Sequence, residues 1–257
     1  MKAIEGDDRS GSSDLLERCA EALEAHLDHH GTEGLKSLLR SFTDAHPTMA
    51  LLHALSAYSE DALPHGADAV LEALLAFRTG LSRARAAATG AFCAFVGRKG
   101  ISRAAAYSRS GQVRECLSAA RDAGLREVIL SEARPAGEGV DAAREFENAG
   151  LEVVLTADAA LPSLLCGAQA VVVGSDAWTG DSFYNKVGTA TLLREARRLG
   201  LPSVVLTVPQ KELAPGTLNR WSNKPLDCPP ECGEFPWHGD LFEAVPWSLA
   251  TQAFVRK

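Results

Sequence analysis

The sequence predicts an α/β protein, with an N-terminal helical domain over residues 1–98 and a mainly parallel sheet with helices on both faces over residues 99–257. Three observations predict it. The first hundred residues place their apolar side chains at helical spacing. After Gly100, short β-branched runs alternate with helical segments. Single glycines separate several of those segments from the next run. A chain of 257 residues is long enough for two small domains with real cores.

In the first part, Leu15, Leu16, Cys19, Leu23 and Leu27 recur at helical spacing from Asp14, and Ser13 is a suitable N-cap. His29-His30-Gly31 ends that helix, since glycine suits the left-handed residue after a helix. A second helix is expected over residues 32–43, with Leu35, Leu38, Leu39 and Phe42 on one face. Pro47 opens a third. The break Pro64-His65-Gly66 separates it from a long fourth over residues 67–96.

Beyond Gly100, strands are expected at residues 101–107, 127–131, 152–156, 170–174 and 203–208. Helices are expected at residues 112–123, 138–149, 161–167 and 187–199, and Gly124, Gly150 and Gly200 each close one. Runs that are apolar throughout are buried on both faces, so helices must cover them and the strands run parallel. Right-handed crossovers then build a doubly wound layer structure. Such sheets bind ligands beyond the carboxyl ends of their strands, which makes the residues just after each strand the candidates for function.

A net charge of −7 gives no general attraction to nucleic acid or to an anionic membrane. No apolar run approaches the length of a membrane span, and the opening MKAIEGDDRSGSSD is polar and acidic, unlike a secretion signal or transit peptide. The expected location is cytoplasmic. Cys19, Cys93, Cys116 and Cys166 lie in apolar periodic segments and are expected as buried thiols. Cys228 and Cys232, in DCPPEC with His238 six residues further on, lack a fourth ligand and the usual finger spacing. A proline-rich surface loop is expected there, with no metal and no cofactor.

The first strand is followed by Tyr107-Ser108-Arg109-Ser110-Gly111. Its hydroxyls, glycine and helix-start amides suit an anion, with Arg109 and Ser110 as contacts; the plainer reading is that Ser110 caps the helix. After the second strand, Pro135 and Gly137 fix a turn that leaves Arg134 at the strand end. Its planar fork suits a phosphate or carboxylate, unless Glu132 or Asp141 claims it. Asp176 lies just past a buried strand, where a carboxylate is expensive unless partnered or used. Asn185 and Lys186 precede a helix start, so that an amide, an ammonium and oriented N–H groups converge on one spot. A helix cap beside a solvated lysine is the alternative.

At this last block the chain resembles a known family. GSDAWTGDSFYNKVGTATLLREARRLGLPSVVL is similar to a signature of the initiation factor 2B alpha/beta/delta family, which also contains methylthioribose-1-phosphate isomerase and ribose-1,5-bisphosphate isomerase. Further segments match in order: HPTMALLHAL, YSRSGQV, SEARPAGEG and LFEAVP. The resemblance runs from about residue 46 to the end. It implies a helical domain followed by a Rossmann-like domain, in agreement with the pattern above.

By that resemblance the catalytic aspartate of the isomerases corresponds to Asp176, and their substrate-binding Asn-Lys pair to Asn185 and Lys186. Their cysteine falls on Ser108, whose hydroxyl ionises far above neutral pH and cannot carry a proton as a thiolate does. The resemblance therefore implies first a regulatory initiation factor 2B-like protein with a pocket for a phosphorylated sugar or nucleotide. An aldose–ketose isomerase of a sugar 1-phosphate and a purely structural assembly subunit are the alternatives. Family members pair through the Rossmann-like domain, so a homo-oligomer is expected, with Phe235, Trp237, Phe242 and Trp247 as candidate contacts.

Overall fold

A helix of 33 residues, Ala67–Lys99, joins two hydrophobic cores. The computed structural model describes residues 12–213, 232, 233, 235–237 and 239–254. Helices α1 (Ser12–His30), α2 (Leu35–Ala45) and α3 (Ala50–Ala62) come before this long helix, α4. Val70, Leu74, Phe77 and Leu81 of α4 pack with Leu16, Leu23, Leu39 and Leu55 of the first three helices. Further along the same helix, Phe92, Phe95 and Val96 belong to the core beneath the sheet. The helix stops at Gly100, whose φ of 63° takes the left-handed conformation and returns its N–H to the Val96 and Gly97 carbonyls.

Helix starts differ from expectation by a few residues. Ser13 lies inside α1, which extends back to Ser12. Residues 32–34 form a turn ending on Gly34 at φ 71°, so α2 begins at Leu35. Extended backbone at Met49 delays α3 to Ala50.

The main sheet has six parallel strands in the order β3-β2-β1-β4-β7-β9. They are β1 (Arg103–Tyr107), β2 (Glu127–Ser131), β3 (Glu152–Thr156), β4 (Ala170–Gly174), β7 (Ser203–Leu206) and β9 (Gln252–Phe254). Alternate residues of the inner strands feed two cores. Ala104, Val128, Val172 and Val204 pack on one face with Val113, Leu117 and Phe146 of α5 (Gly111–Ala120) and α6 (Glu138–Asn148). Ala105, Ile129, Val171 and Val205 pack on the other with Leu161 of the short α7 (Leu161–Leu164) and Leu192 and Leu193 of α8 (Thr189–Arg198). Helices therefore cover both faces. Strand β3, expected to be buried on both sides, is an edge strand that leaves Val154 and Leu155 exposed.

One piece of architecture departs from the expected loop before residue 187. Residues 177–186 form a hairpin of β5 (Ala177–Trp178) and β6 (Ser182–Lys186), and β8 (Phe242–Pro246) adds to β6 to make a small antiparallel sheet. It is continuous in chain with β4 and carries Asn185 and Lys186 on a strand. Trp247 follows it and packs on Phe183 and Trp178 at centroid separations of 5.0 and 6.2 Å, its indole N–H donating to the Thr179 carbonyl at 2.8 Å. Of the four aromatic residues expected at a subunit contact, Trp247 and Phe242 are thus partly covered within the chain, while Phe235 and Trp237 are exposed.

Cys19 and Cys116 are buried, Cys93 is half-buried, and Cys166 is exposed, contrary to expectation, on the 3-10 turn after α7. Cys228 and His238 lie outside the described residues. Among the described residues no group of three or more potential ligands could hold a metal ion, and no helix is long and apolar enough to cross a membrane.

Candidate functional site

The chain passes from β1 to β2 and β3, then returns to place β4 on the opposite side of β1. The boundary between β1 and β4 is therefore the topological switch point, where an open α/β sheet holds its ligand beyond the strand ends. Two features mark it. Ser108 and Ala133, the first residues past β1 and β2 or close to them, adopt φ of 67° and 60°. Side chains other than glycine are costly in that region, and such strain gathers at functional sites.

Lys186, the last residue of β6, is 5% exposed. Its ammonium donates to the carbonyls of Ala133 and Arg134, each at 3.3 Å, and forms an ion pair with Glu138 Oε1. The Ser108 hydroxyl donates to the same oxygen at 3.3 Å. The other oxygen of Glu138, Oε2, is buried without a hydrogen-bond partner among the described residues. Ends of β1 and β6 thus meet at one carboxylate in the first turn of α6, and the loop after β2 binds the same lysine.

Asp176 follows β4, and its N–H donates to the Tyr184 carbonyl at 2.8 Å. No hydrogen bond or ion pair to its carboxyl occurs among the described residues. Burial pushes this carboxyl above the ordinary aspartate range; Lys211 and then Lys186 pull it back, and the negative charge of Glu138 pushes it further up. Lys211 sits in the 3-10 turn after β7, is 8% exposed, and donates to the Ser175 carbonyl at 2.6 Å. Burial pushes its ammonium down, Asp176 opposes that, and Arg85 adds to it.

The structure brings Ser108, Asp176 and Lys186 together and engages the remaining candidates otherwise. Ser110 caps α5, accepting the Val113 N–H at 3.5 Å. Arg109 pairs with Glu145 at 2.9 Å, a carboxylate that Arg114 also contacts. The Arg134 guanidinium is 69% exposed and pairs with Glu132 at 3.1 Å, so that Glu132 claims it. Its backbone N–H, like that of Ala133, is held by Asp158, at 2.7 and 2.8 Å. Asn185 donates to the Thr189 hydroxyl at 2.9 Å, and Glu243 takes the Ala190 N–H at the start of α8.

Two members of the cluster escaped the sequence reading. Glu138 stands inside the SEARPAGEG turn, but its helix-start position there reads as a dipole partner for α6. Lys211 follows β7, the strand beside β4, and the rule that selects residues past strand ends would have found it. Chemically, two buried ammonium groups suit a phosphate, and a carboxyl held toward its neutral form suits proton transfer.

Comparison with known proteins gives the following. Residues 32–212 match the model of the initiation factor 2 subunit family. Over 114 residues the chain is 31% identical to ribose 1,5-bisphosphate isomerase of Archaeoglobus fulgidus, covering 44% of this chain and 36% of that protein. Over 92 residues it is 37% identical to ribose 1,5-bisphosphate isomerase of Haloterrigena turkmenica, covering 35% and 28%. The matched stretches thus span about a third of the length of these curated relatives. The crystal structure of the Pyrococcus horikoshii translation initiation factor eIF-2B superposes with a TM-score of 0.82 at 22% identity, over 98% of this chain and 92% of that one.

Proposed function

The chain belongs to the initiation factor 2 subunit family, and from that premise we propose that it binds a phosphorylated sugar at the switch point between β1 and β4 and interconverts its aldose and ketose forms. The observation that carries this is Asp176. Its carboxyl is half-buried, has no hydrogen-bonding partner among the described residues, and is pushed up by desolvation near two buried lysines. A carboxyl raised in this way, at a place where a ligand is expected, suits a general acid. Lys186 and Lys211 supply the positive charge for a phosphate.

A regulatory protein that holds a sugar phosphate or nucleotide without turning it over would use the same place. Ser108, standing where the isomerases carry cysteine, favours that second reading. The two separate cleanly in one experiment. The purified chain is mixed with ribose 1,5-bisphosphate or 5-methylthioribose 1-phosphate, and thermal stability and carbon NMR spectra are recorded. Ketose formation supports the isomerase. Stabilisation without product supports the regulatory protein; at about a hundred times the dissociation constant it amounts to roughly 2.7 kcal/mol. Neither effect with either sugar removes both readings for these ligands.

A further inference from the structure

Glu138 carries a buried carboxylate oxygen with no hydrogen-bond partner among the described residues. Its Oε1 receives both the Lys186 ammonium and the Ser108 hydroxyl, while Oε2 is buried with no donor among the described residues. A carboxylate oxygen shut away from water without a donor costs free energy, and one lying beside a ligand site suits contact with that ligand. Lys186 forms an ion pair with Glu138, whereas the Asp176 carboxyl has no hydrogen-bonding partner among the described residues and is raised by burial. Of the two carboxyls in this site, the one paired with an ammonium and left with an unused oxygen suits a base, and the one raised by burial suits an acid.

We propose that Glu138 is the base of the site, its free Oε2 taking the hydrogen that a thiolate takes where the isomerases have cysteine. This deepens the isomerase reading and rests on it. For a cyclic aldose 1-phosphate, Asp176 gives its proton to the ring oxygen as the ring C1–O bond breaks, and the oxygen bearing the phosphate stabilises C1. Glu138 removes the hydrogen from C2, and that C–H electron pair becomes the C1=C2 bond of an enol. The enol then takes the proton from Glu138 onto C1 while its O2 hydrogen passes to Asp176 and C2=O forms. The product is a 2-ketose with phosphate still on C1, and both carboxyls return to their starting states. Ser108 in this scheme positions Glu138 and carries no proton.

The test uses the full chain with ribose 1,5-bisphosphate and 5-methylthioribose 1-phosphate. Glu138→Gln should lower kcat by about 10²–10⁴-fold with KM changed much less, the size typical of a lost proton-transfer group. Glu138→Asp should keep more activity than Glu138→Gln. Ser108→Cys combined with Glu138→Gln should recover activity, with a pH profile that rises through the thiol range. Wild-type turnover that survives Glu138→Gln, an order of activity with Gln above Asp, or a change in KM alone overturns the base assignment and leaves the isomerase reading standing. Absence of turnover by the wild-type chain on both sugars overturns that reading and this inference with it.

Discussion

The Tyr107 hydroxyl donates to the Val187 carbonyl at 2.6 Å, fastening the end of β1 to the turn between β6 and α8. The ring is 6% exposed, and burial first, then Asp158, Glu138 and Glu243, push the phenol above its ordinary range. It therefore acts as a neutral donor. Gly188 lies against it, and a Cβ there would come 3.1 Å from the hydroxyl at a φ of 101°.

Removing that donor should loosen the switch point. Tyr107→Phe leaves the Val187 carbonyl without its partner, so a loss of about 1–3 kcal/mol is expected. Urea unfolding at neutral pH measures it, and a change within about 0.3 kcal/mol would show the bond to be energetically idle.

Gly139 shows how tightly α6 seats on β2. A Cβ added there would lie 1.9 Å from the Ser131 carbonyl oxygen, a backbone atom that cannot swing aside. Gly139→Ala must push the first turn of α6 away from the strand and move Glu138 with it. A cost at or above the usual overpacking range of about 1–3 kcal/mol is expected. Gly137→Ala is the control. Its φ of 71° is unfavourable, but nothing stands within 4 Å of the added carbon, so a penalty of only about 1–2 kcal/mol follows. Equal thermal shifts for the two would contradict the close approach.

The sheet was legible because its strands carry their burial in their own composition. VVVG at β4 and EVIL at β2 are apolar runs between helical segments, and the observed β2, β3 and β4 coincide with the expected residues. The hairpin was hidden for a different reason. SFYNK mixes strand-favouring Phe and Tyr with Asn and Lys, and β6 is held by β8, some sixty residues later in the chain. Strand β9 was missed likewise, since Gln252–Phe254 is short and is drawn into the sheet by pairing with β7. At the site, Asp176 stood out because a charge beside a buried strand is costly unless used, and Asn185 and Lys186 stood out because they precede a helix start. Glu138 looked like an ordinary helix-start acid, and its partner Lys186 lies 48 residues away.

Asp176 gives a pH-dependent signature. Its folded-state value is raised above the unfolded one, so its contribution to stability is complete below the unfolded value of about 3.9 and is lost as pH rises through the folded value. Asn cannot ionise and escapes that loss. The stability of Asp176→Asn relative to wild type should therefore increase as pH rises from about 4 toward neutrality, and then level off. Thermal melts of both proteins across that range test it, and a relative stability that falls with pH would refute the direction. The same variant should lack turnover.

Lys186 and Arg134 were both candidates for a phosphate, and the structure separates them. Lys186 is buried and donates to two carbonyls and Glu138, whereas the Arg134 side chain lies largely in solvent beside Glu132. Lys186 is a buried positive charge of the cluster, and losing a charged contact of about 1.5–3 kcal/mol means that Lys186→Ala should weaken binding of ribose 1,5-bisphosphate by roughly ten- to a hundredfold. An exposed ion pair contributes at most about 1 kcal/mol, and Arg134→Ala should change that affinity by only a few-fold. The lysine variant also strips Glu138 of its countercharge, so part of its effect comes from repulsion between that carboxylate and the ligand. Glu138→Gln in the Lys186→Ala background removes the repulsion and should recover part of the affinity. Calorimetric titration of the four proteins decides the matter. An arginine variant as weak as the lysine variant would move the phosphate out of the strand-end cluster and onto the surface.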